Sequence, residues 1–328
     1  MKKVRFFNPG MSYARHRDEI LGEVDRIFTN GDLILRADGE KFEEDLAEFC
    51  GKKYAVGLNS GTDALYLALK AVGVKEGDDV IVSAHTFVAS VQVIVQLGAN
   101  PILVDMYEDW RLKITPNTTA CIPCHIAGAV LDWEPVEGIH MIDDSCQALG
   151  AKGFKGEIQC WSFYPAKILG CFGDGGGITT DNADYARDIK DLGNHWKSDY
   201  SKWGINSRLD NVQAVILNVR LKYLPTALAR RKEVAQMYIA GIRSIGGLPK
   251  DSENRVWQDF IFRTGRRDEL YEFLKERGIE TMKNEYPFPI TKGQAAFNFE
   301  SETLRLPCNE NLTDDEVEYV IKTINEFA

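Results

Sequence analysis

Tyr54-Ala55-Val56-Gly57-Leu58-Asn59-Ser60-Gly61-Thr62-Asp63 decides how the chain is read. Its first half is a short apolar run of strand length. Its second half turns through Ser60 and Gly61 into residues 62–72, where Leu65, Leu69 and Val72 fall on one helical face. The same unit recurs downstream. Asp79-Val80-Ile81-Val82-Ser83 reads as a strand and residues 87–97 as a helix, with further strands at 101–104, 120–123 and 140–143. Strands and helices alternating through short connections predict an α/β fold with a largely parallel sheet covered by helices.

Working outward, residues 16–30 place Ile20, Val24 and Ile27 at helical spacing until Asn30-Gly31-Asp32 breaks the pattern. A second helix carries Phe42, Leu46 and Phe49 and closes at Gly51. Beyond Asp181 the character changes: a short helix at 183–192, then an aperiodic polar and aromatic loop at 194–208. A long helical pattern follows from Asp210 to Tyr238, interrupted near Pro225. The remainder (256–263 extended, 267–276 helical, 303–306 extended, 313–326 helical) predicts a smaller α+β unit. The expected division is a large domain at 13–222 and a small C-terminal domain at 223–328, with residues 1–12 packing on the small one.

The chain has 328 residues, 44% apolar and 27% charged, as a globular protein with a sizeable core requires. It has no apolar run long enough to cross a membrane, and Met1-Lys2-Lys3-Val4-Arg5-Phe6-Phe7 is too short for a signal-peptide core, so a cytoplasmic location is expected. A net charge of −10 argues against a nucleic-acid partner. Seven scattered cysteines fit reduced thiols. Cys121-Ile122-Pro123-Cys124-His125 matches a haem-attachment spacing and half a zinc site, but no second cysteine pair follows and the flanks read as a buried strand. No metal site is expected.

Four stretches carry chemistry. Asn59-Ser60-Gly61-Thr62-Asp63 sits where a strand becomes a helix, so its free backbone N–H groups suit a phosphate, although Ser60 or Thr62 would equally serve as an N-cap. Ile142-Asp143-Asp144-Ser145-Cys146-Gln147-Ala148 puts carboxylates at the end of a buried strand, where α/β sheets bind ligands. Burying a carboxylate is costly unless it meets a cation, and a protonated pyridine nitrogen would serve. Successive strand side chains point to opposite faces, so Asp143 and Asp144 diverge and both should not meet the same nitrogen; the plainer alternative is a carboxylate that caps the next turn. Ala84-His85-Thr86-Phe87-Val88-Ala89-Ser90 offers an aromatic that would stack on a planar ring or fill the core. Trp161-Ser162-Phe163-Tyr164-Pro165-Ala166-Lys167-Ile168-Leu169-Gly170 holds one lysine among apolar residues, with a flexible glycine run at 173–177 behind it. A lysine in a dry pocket is a usable nucleophile and Schiff-base former; the plainer alternative is a lysine snorkelling from a strand end.

Together these stretches, with Asn206-Ser207-Arg208-Leu209-Asp210 and Gln213-Ala214, resemble the DegT/DnrJ/EryC1/StrS family of sugar aminotransferases, of the aspartate-aminotransferase fold type I. The resemblance runs in family order from about residue 8 to 326. It implies a mostly parallel seven-stranded sheet and pyridoxal 5'-phosphate (PLP) as cofactor. Lys167 would form the Schiff base and shuttle the proton. Asp144 would pair with the pyridinium nitrogen, Gln147 would lie against the cofactor face or its phenolate oxygen, and Phe87 would stack on the ring. Gly61, Thr62 and Ser162 would hold the phosphate. Asn206 would reach the cofactor of a neighbouring subunit, so that a homodimer shares its active sites.

The sequence departs from the family pattern in places. Leu149 stands where a histidine is common, Ile168 follows the lysine in place of asparagine, and Glu285-Tyr286-Pro287 replaces histidine–tyrosine–proline. The resemblance implies a nucleotide-linked keto-sugar as substrate, glutamate as amino donor and an amino sugar as product. The alternatives are a PLP-dependent sugar dehydratase, in which some relatives replace the lysine by histidine, and a PLP-binding regulator without turnover.

Overall fold

A computed structural model describes residues 3–243 and 246–327. Seven strands form the main sheet: β1 (Tyr54–Leu58), β2 (Asp79–Ser83), β3 (Asn100–Val104), β4 (Thr118–Ile122), β5 (His140–Asp144), β6 (Ile158–Ser162) and β7 (Gly176–Thr180). Their order is β1-β7-β6-β5-β4-β2-β3. The pairs β2–β3, β2–β4, β4–β5 and β5–β6 are parallel, whereas β7 is antiparallel to both β1 and β6. Six strands therefore run one way and their C-terminal ends share one edge.

The flanking helices begin with α1 (Pro9–Arg15), α2 (Arg17–Asn30) and α3 (Ala37–Cys50), then α4 (Gly61–Ala71), α5 (Val88–Gln96), α6 (Ala183–Gly193) and the 31-residue α7 (Asn211–Gly241). The central strands are buried on both faces, which is why they read as continuous apolar runs. Val80 and Val82 of β2 face a cluster with Leu65 and Leu69 of α4 and Ile94 of α5, while Ile81 faces Trp110, Cys121 and Met141 on the other side. Phe42 and Leu46 of α3 meet Trp161, Phe163, Leu217 and Leu224 in a further cluster.

The chain ends with β8 (Phe260–Arg263), α8 (Arg267–Glu276), β9 (Met282–Lys283), α9 (Gln294–Glu302), β10 (Thr303–Leu306) and α10 (Asp314–Glu326), the strands forming an antiparallel β8-β10-β9 sheet. Val4 bridges in parallel to Ile279, and Phe6 O accepts from Asn309 Nδ2 at 3.1 Å. Met1 and Lys2 of the expected 1–12 segment lie outside the described residues.

Two expectations need correction. The long helix is not interrupted: α7 continues through Pro225. A mid-helix proline costs about 3 kcal/mol through a lost hydrogen bond and ring crowding. Leu221 and Leu224 before it, and Val234 and Tyr238 after it, are buried in two different clusters. Each buried side chain contributes roughly 1.5–3 kcal/mol, so packing outweighs the break. The glycine run is not a flexible tail either, because Gly176 and Gly177 open the buried strand β7. A Cβ on Gly176 would lie 2.1 Å from the Ser60 carbonyl carbon, and one on Gly177 would lie 2.8 Å from Val56 O. Glycine is needed there because β1 and the start of α4 press against β7.

Candidate active site

The site lies at the shared C-terminal edge. Leu58 of β1 and Ser162 of β6 both pair with Gly176, so the turn into α4 and the end of β6 stand at one level. Ser60 is the N-cap of α4, its hydroxyl accepting from Asp63 N at 3.1 Å. The N-cap and phosphate readings of this stretch are thus compatible. Gly61 and Thr62 open the helix, and first-turn N–H groups have no intrahelical acceptor. A Cβ on Gly61 would lie 2.8 Å from both Ser162 Cβ and Cys146 Sγ, so only glycine lets the helix start approach β5 and β6 this closely.

Asp144 ends β5 and is buried. Its Oδ2 accepts the Ser90 hydroxyl at 2.5 Å and its Oδ1 accepts Cys146 N at 3.2 Å. No ion pair among the described residues includes it, which leaves a buried carboxylate with hydrogen bonds and no cation. Asp143 goes the other way. His125 Nε2 lies 3.1 Å from its Oδ1, and its Oδ2 accepts Gly156 N at 2.8 Å and Gln159 Nε2 at 3.3 Å. His125 is therefore spent on Asp143. Cys121 and Cys124 sit in apolar clusters on opposite faces of the sheet, with burial pushing the Cys124 thiol up to about 12.

Lys167 is half-buried in the turn after β6, its N–H donating to Tyr164 O at 2.9 Å. Cys146, whose thiol feels the charge of Lys167, is not a rival nucleophile. Burial pushes it well above its usual range, Asp144 adds to that, and Lys167 only partly opposes it. Ser162 Oγ accepts Tyr164 N at 3.3 Å and shapes the same turn. Gln147 is buried, its Oε1 accepting Ala127 N at 2.8 Å and its Nε2 donating to Tyr286 OH at 3.4 Å. Phe87 is the N-cap of α5 and 55% exposed, so it is not a core residue. Asn206 is exposed in the 194–208 loop, where it bridges to Asn194.

The departures have structural explanations. Ile168 and Leu149 are buried in one cluster with Trp161 and Leu224, beneath the lysine turn. Glu285 is turned into Arg267 at 2.6 Å, while Tyr286 is buried with its hydroxyl on Gln147. Sequence reading missed Ser90, quoted without a role, and Gln258, which touches the lysine turn from 90 residues away and leaves no local signal.

These residues fit PLP: a helix start for the phosphate, a cationless buried carboxylate for the ring nitrogen, and a lysine in the adjoining turn. The fold and site define a type I PLP-dependent aminotransferase. The DegT/DnrJ/EryC1/StrS aminotransferase family model matches residues 14–325, and the chain belongs to that family. It is 34% identical to the dTDP-3-amino-3,4,6-trideoxy-alpha-D-glucose transaminase of Streptomyces venezuelae, over 99% of this chain and 96% of that one. Among solved structures, S. venezuelae DesV in complex with a ketimine intermediate superposes with a TM-score of 0.91 at 33% identity, covering 100% of this chain and 99% of that one. NtdA from Bacillus subtilis, with bound cofactor PMP, gives 0.90 at 25% identity over 99% and 85%. Among the described residues, no helix is long and apolar enough to cross a membrane.

Proposed function

We propose that this aminotransferase moves the amine of glutamate onto the carbonyl carbon of a nucleotide-linked keto-sugar, and that it does so as a homodimer with shared sites. The observation that carries the site is Asp144, a buried carboxylate with a hydroxyl and an N–H but no cation, near the turn that holds Lys167. The substrate class rests on what the related transaminase is named for.

Bound PLP supplies an electron sink that makes a proton removable from the carbon bearing the amine. Lys167 would hold the cofactor, and its Nζ would serve as the base that carries the proton. Asp144 would keep the ring nitrogen protonated. The first-turn N–H groups of Gly61 and Thr62, with the Ser162 hydroxyl, would bind the phosphate. Phe87 and Gln147 would hold the ring.

The large unit at 13–222 carries this machinery and the unit at 223–328 contributes Tyr286 against Gln147. Exposed Asn206 reaches the partner's phosphate, and the exposed rings of Tyr200 and Trp203 in the same loop supply apolar surface for a second copy to cover. Lysine at 167, and not histidine, favours transamination over dehydration.

The test is a panel of nucleotide-linked keto-sugars with glutamate, following the amino sugar and 2-oxoglutarate by mass. Matched appearance of both supports the reading. Loss of a sugar hydroxyl without amine transfer would establish the dehydratase instead.

A further inference from the structure

The turn that presents Lys167 is held from outside. Gln258 Oε1 accepts Ile168 N at 3.1 Å, and Gln258 Nε2 donates to Ala166 O at 3.0 Å. One planar amide thus bonds the residue before the lysine and the residue after it. Gln258 is itself buried and fixed. Its carbonyl and that of Trp257 accept from Arg231 Nη1 at 3.1 and 3.2 Å, and Arg231 is paired with Glu310 at 2.8 Å. The clamp is therefore anchored in the chain's C-terminal part, far in sequence from the turn it holds.

We propose that Gln258 is a positioning residue for Lys167. It fixes the backbone of residues 166–168, and hence the direction in which the lysine side chain leaves the turn. The task needs a donor and an acceptor on one short rigid group, which an amide provides at any ordinary pH. A carboxylate keeps the acceptor for Ile168 N but sets a second acceptor against Ala166 O. A thioether of similar length loses both bonds. Reactive groups must be placed to within a fraction of an ångström, so a loosened turn slows capture of an aldehyde by the lysine without removing the lysine. The inference rests on the reading of Lys167 as the cofactor-binding lysine.

The experiment uses full-length protein freed of cofactor: wild type, Gln258→Met, Gln258→Glu and Asp259→Asn. The last breaks the adjacent Asp259–Arg305 pair, at 3.2 Å, without touching the lysine turn. Each is mixed with PLP, reduced with borohydride at timed intervals and digested, and the pyridoxyl label on Lys167 is quantified by mass. Melting temperatures are recorded alongside.

Gln258→Met is expected to slow labelling about ten-fold, with Gln258→Glu slowed as well and Asp259→Asn as fast as wild type. Labelling of Gln258→Met at the wild-type rate would overturn the proposal. So would equal slowing by Asp259→Asn, because the effect would then be general loosening. Should the methionine variant not fold, the glutamate variant decides by the same comparison with wild type. If wild type is not labelled at Lys167, the reading of the lysine itself fails, a result distinct from failure of the clamp.

Discussion

His125 Nε2 lies 3.1 Å from Asp143 Oδ1, while His125 Nδ1 accepts Leu131 N at 3.0 Å, and both side chains are only 1% exposed. An accepting Nδ1 requires the tautomer with its proton on Nε2, which then donates to Asp143. The pair closes the 126–131 segment onto β5.

Asp143→Asn should therefore cost stability, although its effect on the rate should be much milder than that of Asp144→Asn. An amide cannot accept on both ends, so at least one of His125, Gly156 and Gln159 loses its acceptor inside the core. The expected loss is on the order of 2–4 kcal/mol, read as a lower urea midpoint. Cofactor absorbance per folded molecule should stay near wild type. A stable variant that cannot bind PLP would show that Asp143 belongs to the site after all.

Asp144→Asn should give the opposite pattern. The near-isosteric amide keeps a partner for Ser90 or Cys146, so folding survives, but the charge proposed to face the ring nitrogen is gone. Turnover should fall roughly a hundred-fold or more. Ser90→Ala removes only the hydroxyl on Oδ2 and should cost about five- to ten-fold. Steady-state rates with melting curves separate the two, and equal damage from both would point to packing, not charge.

Sharing of sites between subunits can be tested by complementation. Asn206→Ala should release PLP more readily, measured by dialysis and absorbance. Mixed with Lys167→Ala, it should regain part of the activity, since a mixed dimer has one intact site. If mixed dimers form, as seen by tagged co-purification, and no activity returns, Asn206 serves its own chain.

Acid sensitivity should centre on Glu310. Burial tends to raise this carboxyl, but Arg231, its own backbone N–H, Arg220 and the Ser12 hydroxyl outweigh burial and hold it below its ordinary 4.5. The unfolded chain then takes up the proton first as pH drops. Its stabilisation is complete above the ordinary value and is lost as pH falls through the depressed one. Urea midpoints measured from about pH 6 to 3 should decline for wild type and flatten in that range for Glu310→Gln. A parallel decline in both would assign the acid limb to other groups.

Much of the scaffold is legible locally. Strand β2 and helix α3 announce themselves through apolar runs and periodicity, and Gly51 marks the end of α3 with φ +65° because only glycine takes that conformation cheaply. The continuity of α7 and the strand at Gly176–Thr180 were not legible. Proline and glycine there read as breakers until the neighbours that overrule them, two apolar clusters and the Ser60 carbonyl, are in place.

The sequence by itself determined the α/β scaffold, the family and the short motifs around Lys167, Asp144 and Gly61, because those depend on neighbours within a few residues. Only the tertiary structure decided what Asp143 and Asp144 each bond to, what occupies His125 and Glu285, and what holds the lysine turn. Those outcomes depend on hydrogen bonds between residues 18 to 92 positions apart. Such a bond leaves no periodicity or composition in the chain; it exists only when the packing of sheet and helices has brought donor and acceptor to about 3 Å.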